Sequence, residues 1–175
     1  MSVGHLGFTD NYNCAIVALS QAGISLDVRN GLFWEQHIQN GIRDRVKDGF
    51  DYIFVLDYDT LFTQRDARRL LELIIEHQEA DAICSVQMRR QHDTVLLREL
   101  GEEKGGIKKA GYSGELTPIE LGHFGLTVFR AERFKELPMP WFLAVPSESG
   151  QWDDNRQDAD IFFWHKWNQY GRTLY

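Results

Sequence analysis

Residues 52–56 constrain the fold more than any other stretch. Tyr52-Ile53-Phe54-Val55-Leu56 is apolar throughout, so an extended chain here needs cover on both faces. This predicts a central strand of a parallel sheet. The strand runs straight into Asp57-Tyr58-Asp59, which places two carboxylates at its carboxyl end, where open α/β sheets bind ligands. Acids this close disfavour joint ionisation. A divalent cation removes that cost, and Mg2+ and Mn2+ prefer carboxylate and phosphate oxygens. Asp57 and Asp59 are therefore read as a metal–diphosphate site. Two solvated loop acids are the plain alternative, because D-x-D is short and common.

The flanking sequence alternates helical and strand periods. Residues 3–8 read as a first strand, and Thr9-Asp10-Asn11 as a helix start. Apolar positions Tyr12, Ala15, Ile16 and Leu19 follow at helical spacing up to Gly23. Ile24, Leu26 and Val28 alternate, predicting a second strand that ends at Arg29-Asn30 and completes a β–α–β opening. Arg29 then reads either as a phosphate or nucleotide contact or as a solvated strand-end side chain. Trp34, Ile38, Ile42 and Val46 predict a helix over 31–49 packed by one stripe. Gln36 and His37 lie near its start, where a ligand would reach them, with a structural role the alternative for His37. Thr63 and Asp66 have the spacing of a capping box, ahead of an amphipathic helix ending near His77.

Residues 82–86 form another buried-strand pattern, leading to Gln87, Arg89 and Arg90. The arginines suit phosphate through their forked donors, or form a surface basic pair. Residues 101–118 carry five glycines and three lysines and read as a binding loop or lid. A strand over 119–128 is expected to kink at Gly122-His123-Phe124-Gly125, where glycines let a ligand approach the backbone. His123 in that kink is a site residue or an ordinary hydrogen-bonded histidine. A short helix is expected over 130–137. Asp158 and Asp160 then precede Ile161-Phe162-Phe163-Trp164-His165-Lys166-Trp167, a helix apolar nearly all round and so expected to be mostly buried. A carboxylate at its start either caps the helix dipole or acts as a general base.

Composition narrows the classes. The 175 residues fit one domain, residues 1–175, with 43% apolar and 26% charged side chains. A net charge of −7 argues against general nucleic-acid binding. No apolar run approaches the length of a membrane span and no secretory signal opens the chain, so a cytoplasmic protein is expected. Cys14 and Cys84 sit in apolar contexts and read as buried thiols in a reducing compartment. The abundant aromatics are either core or the walls of a site that stacks a base or a sugar.

Taken in order, these pieces resemble nucleotide-sugar glycosyltransferases of the GT-A fold, closest to family 2. The resemblance rests on Arg29-Asn30, on Asp51 through Asp59 with its D-x-D, on Gly122-His123-Phe124-Gly125 followed by Phe129-Arg130, and on Asp158-Ala159-Asp160 with Gly171 eleven residues after Asp160. It implies a Rossmann-like α/β fold, a mostly parallel sheet flanked by helices on both faces. It implies Mn2+ or Mg2+ held by Asp59, with Asp57 reaching the metal through water or contacting the donor ribose. Arg29, Gln87, Arg90, Gly122, His123 and Gly125 would contact substrate. Asp160 would deprotonate an acceptor hydroxyl of a glycan, lipid or protein, with inversion at the transferred sugar. Asp158 is the alternate base, since Ala159-Asp160 stands where the family has glutamate-aspartate. The chain reaches Tyr175 about where the family places a later histidine ligand, so it is truncated there or its site is completed differently.

Three rivals fit parts of the pattern. A haloacid-dehalogenase-type phosphatase would use Asp57 as nucleophile, but its motif wants Thr or Val where Leu61 stands. A domain of this fold that only binds nucleotide sugars or glycans would form no product. A nucleotidyltransferase would carry a glycine-rich basic signature near the start, which residues 1–30 lack.

Overall fold

The computed structural model describes residues 2–3, 9–30, 33–57, 59–87, 98–99 and 116–175. Tyr58, Arg89, Arg90, residues 4–8 of the strand expected over 3–8 and most of the glycine-rich loop lie outside them. In chain order the elements are β1 (Ser2–Val3), α1 (Thr9–Gln21), β2 (Arg29–Asn30), α2 (Trp34–Lys47), β3 (Tyr52–Leu56) and α3 (Gln64–Glu76). There follow β4 (Ala82–Cys84), β5 (Arg98–Glu99), β6 (Ile119–Leu121), β7 (Leu126–Arg130) and α4 (Ala159–Gln169).

The helices lie where their patterns put them. α2 buries Ile38 and Ile42. α3 starts at the expected capping box: the Asp66 amide donates to Thr63 Oγ1, and the Thr63 amide to Asp66 Oδ2 at 2.7 Å. α4 is less enclosed than its composition suggests. It buries Ala159, Phe163, Trp164 and Trp167, while His165 is exposed. The expected helix over 130–137 is only a 3-10 turn, Ala131–Phe134.

The sheet corrects the expected fold class. The mostly parallel, Rossmann-like GT-A sheet is not what this chain forms. Among the described residues its main sheet has three strands in the order β3-β7-β4, and β7 runs antiparallel to both neighbours. β3 and β4 share a direction and are joined through α3, but β7 lies between them and takes their hydrogen bonds. Among the described residues, parallel pairing is confined to β1 with β2 and to one bridge between Ala82 and Leu174. β7, buried at all five positions, is the interior strand that β3 was expected to be. The single strand expected over 119–128 divides at Gly122–Gly125: β6 pairs with β5, β7 with β3 and β4. Residues 24–28 form no strand; Ile24 and Leu26 pack against the core, and pairing with β1 begins at Arg29.

Apolar cores lie on both faces of the main sheet. Ile53, Val55 and Phe129 face α2 and α4, in a cluster with Phe124, Phe134, Phe142, Phe163, Trp164 and Trp167. Ring stacking runs through it, with Phe142 and Phe163 centroids 4.7 Å apart and Phe124 and Trp164 5.0 Å apart. Most of the aromatic richness is therefore core. Leu56, Leu126 and Val128 face the other way, onto Ala15, Ala18 and Leu19 of α1 and Ala67, Leu70 and Ile74 of α3.

Arg130 is a structural residue. Its buried guanidinium donates to the carbonyls of Ala80 (2.8 Å) and His77 (3.1 Å), and also to that of Ile74, stitching the C-terminal end of α3 to β7. The last residues bind the edge of β4, with the Cys84 amide donating to the Tyr175 carbonyl at 2.7 Å. The Ile119 amide donates to the Leu174 carbonyl at 3.0 Å, so this tail lies between β4 and β6.

Candidate active site

β3 delivers Asp57 to its carboxyl end, as the sequence requires. The Asp57 amide donates to the Gly125 carbonyl at 3.3 Å, which joins the acidic motif to the glycine turn before β7. The loop beyond Asp59 is tied down at several points. Asn11, almost fully buried on α1, donates its side-chain amide to the Thr60 carbonyl. The Cys14 thiol donates to the Phe62 carbonyl at 2.7 Å. Gln87, just beyond β4, donates to Thr60 Oγ1 at 3.2 Å.

The glycines serve packing more than ligand access. A Cβ on Gly125 would overlap the Gln87 side-chain amide, and one on Gly122 would stand 3.1 Å from Cys84 Sγ. Between them, His123 is held by its backbone. Its carbonyl accepts from Thr127 Oγ1 at 2.7 Å, and its amide donates to Cys84 Sγ at 3.4 Å. Its ring points toward the acidic motif, with Nδ1 3.5 Å from Asp57 Oδ2.

Asp57 is the electrostatic centre of the site. Its side chain is 19% exposed, and burial pushes its carboxyl above the usual aspartate range. His123 opposes that rise, while the negative charges of Asp59 and Asp160 add to it. Asp160 comes from α4, about a hundred residues further along the chain. An antiparallel bridge between Val145 and Gln157 positions the segment entering that helix. The structure therefore places Asp59, His123 and Asp160 within electrostatic reach of Asp57, with His123 Nδ1 3.5 Å from its carboxylate.

The two possible bases differ. Asp158 occupies the N-cap position of α4 but caps no amide; it is 57% exposed and paired with Arg156 at 2.9 Å. Asp160 accepts from the Ile161 amide at 2.8 Å and reaches Asp57 electrostatically. Arg29 is engaged by Asp27 at 2.9 Å and Asp44 at 3.1 Å, chiefly Asp27 raising its proton affinity. It lines a cavity of about 590 Å3 together with Trp34, His37, Phe50, Asp57 and residues of β3. Asn11, Thr60, Cys84 and Thr127 also support the site. Their sequence contexts look like helix start, loop or core, and only the long-range contacts reveal the role.

Among the described residues, no group of three or more His, Cys, Asp or Glu side chains forms a ready-made metal cage. Two carboxylates are oxygen donors of the kind a hard cation takes. Asp57 carries a carboxyl burdened by two neighbouring negative charges, and His123 presents a buried ring nitrogen without a hydrogen-bond partner among the described residues. Asp57 and Asp59 are the residues that would hold it.

No family model and no curated protein matches the chain. Among solved structures, A197 from STIV has a similar fold, with a TM-score of 0.61 and 13% identity, covering 94% of this chain and 74% of that one. At that identity the likeness concerns the fold alone. No helix among the described residues is long and apolar enough to cross a membrane.

Proposed function

We propose that this chain transfers a sugar from a nucleoside-diphosphate donor to an acceptor hydroxyl, with inversion. The observation that carries the reading is a buried Asp57 at the end of β3 within electrostatic reach of Asp59 and Asp160; burial chiefly, and then their charges, raise its proton affinity. Asp57 and Asp59 would be the residues that hold Mn2+ or Mg2+. The chemistry such an ion would supply is positive charge for a departing nucleoside diphosphate. Asp160 takes the proton from the acceptor hydroxyl as its oxygen bonds to the anomeric carbon and the bond to the diphosphate breaks. A positioned base of this kind contributes about 10²–10⁴-fold. Asp158, engaged by Arg156, is the weaker choice for that role. The free thiols Cys14 and Cys84 support a reducing, cytoplasmic setting.

Calorimetric titration with UDP, GDP, and thymidine and cytidine diphosphates, with and without Mn2+, tests the reading. Metal-dependent binding of one nucleotide, lost in Asp59→Ala, is the expected result. Binding of none of them, or binding indifferent to both Mn2+ and Asp59, would overturn it. Sugar transfer from the matching donor then separates an enzyme from a domain that only binds.

A further inference from the structure

We propose that the cavity between residues 24–27 and β3 is a slot for one β-strand of a partner polypeptide, an extended segment with apolar side chains on both faces. This does not depend on the transferase reading.

The walls of the cavity carry the proposal. Every residue from Asp51 to Asp57 lines its volume of about 590 Å3. Ile53 and Val55 belong to the core on one face of the sheet, and Tyr52, Phe54 and Leu56 to the core on the other. Successive side chains of a strand point to opposite faces, so a space that meets all of them lies along the strand's edge. Among the described residues β3 is the outer strand of the order β3-β7-β4, and that edge presents main-chain groups with no ladder partner there. The facing wall is also a run of consecutive residues, Gly23 to Asp27. This wall forms no strand, although Ile24, Leu26 and Val28 alternate as a strand does. Ile38 and Ile42 of α2 close the slot on one side, and Leu19 of α1 with Leu71 of α3 on the other. Ile24, Leu26, Tyr52 and Phe54 are only half-buried, as in a core that lacks one element.

The register of the neighbouring ladder identifies the occupant. β1 pairs parallel with β2, Ser2 opposite Arg29 and Val3 opposite Asn30. Extended backwards, that ladder reaches positions opposite 24–27 where no described residue stands. A strand there would pair with residues 24–28 on one side and with β3 on the other, joining the two sheets. Five extended residues span about 17 Å. A compact small molecule would fill apolar space but leave both rows of main-chain groups without partners, whereas an added strand satisfies them. The occupant's side chains would alternate between α2 and the α1–α3 side, both apolar, so charges belong only at its ends. Lysines suit those ends, since the chain carries a net charge of −7.

The test uses the full chain and the capped heptapeptide Lys-Val-Thr-Ile-Val-Val-Lys, with a control peptide carrying proline at the third and fifth positions. The first peptide in excess is expected to slow amide hydrogen exchange in residues 24–28 and at the edge of β3 by about tenfold or more. It should also raise the melting temperature by about 5 °C. The control should do neither, because proline cannot donate to the ladder. In a second arm the same heptapeptide is joined directly ahead of Met1. Protection in the joined protein but not with the free peptide would overturn the partner and give the slot to a strand of the same chain. Protection in neither arm, or equal effects of the two peptides, would overturn the slot itself.

Discussion

The side-chain amide of Gln87 occupies the space where Gly125 would carry a Cβ, and from there it donates to Thr60 Oγ1 at 3.2 Å. One glycine thus decides whether the residue after β4 can reach the loop that carries Asp59. Gly125→Ala should displace a flexible side-chain end, costing less than about 1 kcal/mol of stability. Metal-dependent nucleotide binding should nevertheless weaken, because Thr60 loses its donor. Gln87→Ala should weaken binding by a similar factor, and the double variant should be no worse than either single one. Calorimetry on the four proteins measures that non-additivity, and additive losses would contradict the coupling.

The two acids before and within the last helix should separate cleanly. Asp160→Asn is expected to lower the transfer rate by about 10²–10⁴-fold while leaving nucleotide affinity unchanged. Asp158→Asn removes an exposed ion pair with Arg156, a contact of little energetic consequence, and should stay within threefold of wild type. Steady-state rates with a saturating donor decide it; equal losses in both variants would reassign the base.

Asp57 should make the metal-free protein less stable as pH rises. Burial holds its folded-state proton affinity above the ordinary value, so the folded chain binds that proton more tightly than the unfolded one. By linkage, the group's contribution is most favourable below the unfolded value of about 3.9 and is lost as pH climbs through the raised folded value. Asp57→Asn should therefore melt higher than wild type at neutral pH in the presence of chelator. About 2–4 °C corresponds to roughly 1 kcal/mol in a domain of this size. The gap should close below about pH 4, where Asp57 is protonated in both states. Thermal melts across that range test the sign.

Arg130 should matter for stability and not for the reaction. Arg130→Ala leaves the carbonyls of Ile74, His77 and Ala80 without their buried donor, so a loss of about 2–4 kcal/mol is expected. Urea denaturation should show it, with nucleotide affinity of the remaining folded protein unchanged. A binding defect at full stability would place Arg130 in the site instead.

Much that is local was legible in the sequence. The period of Ile38 and Ile42 set the buried stripe of α2, and Thr63 with Asp66 marked the start of α3. The apolar run at residues 52–56 gave a strand with both faces covered and Asp57 at its end. Each depends on neighbours a few residues apart, where backbone geometry alone decides which side chains share a face. The error in sheet direction came from the same source. β3, α3 and β4 read as a parallel unit, and no local pattern announces that β7 inserts between its strands.

The site divides along the same line. Its acids, its histidine and its glycines can be named from the chain, because their residue types carry the chemistry. Their meeting cannot. Asp160 reaches Asp57 only because α4 packs its aromatic face on the sheet, and His123 faces the acidic motif because the chain turns there into an antiparallel strand. Arg130 turned from a suspected donor-loop residue into a clasp on α3 for the same reason. The sequence by itself determined the local elements and the chemical groups. The tertiary structure decided strand order, strand direction and which charges meet, since those follow from burying apolar faces contributed by distant parts of the chain.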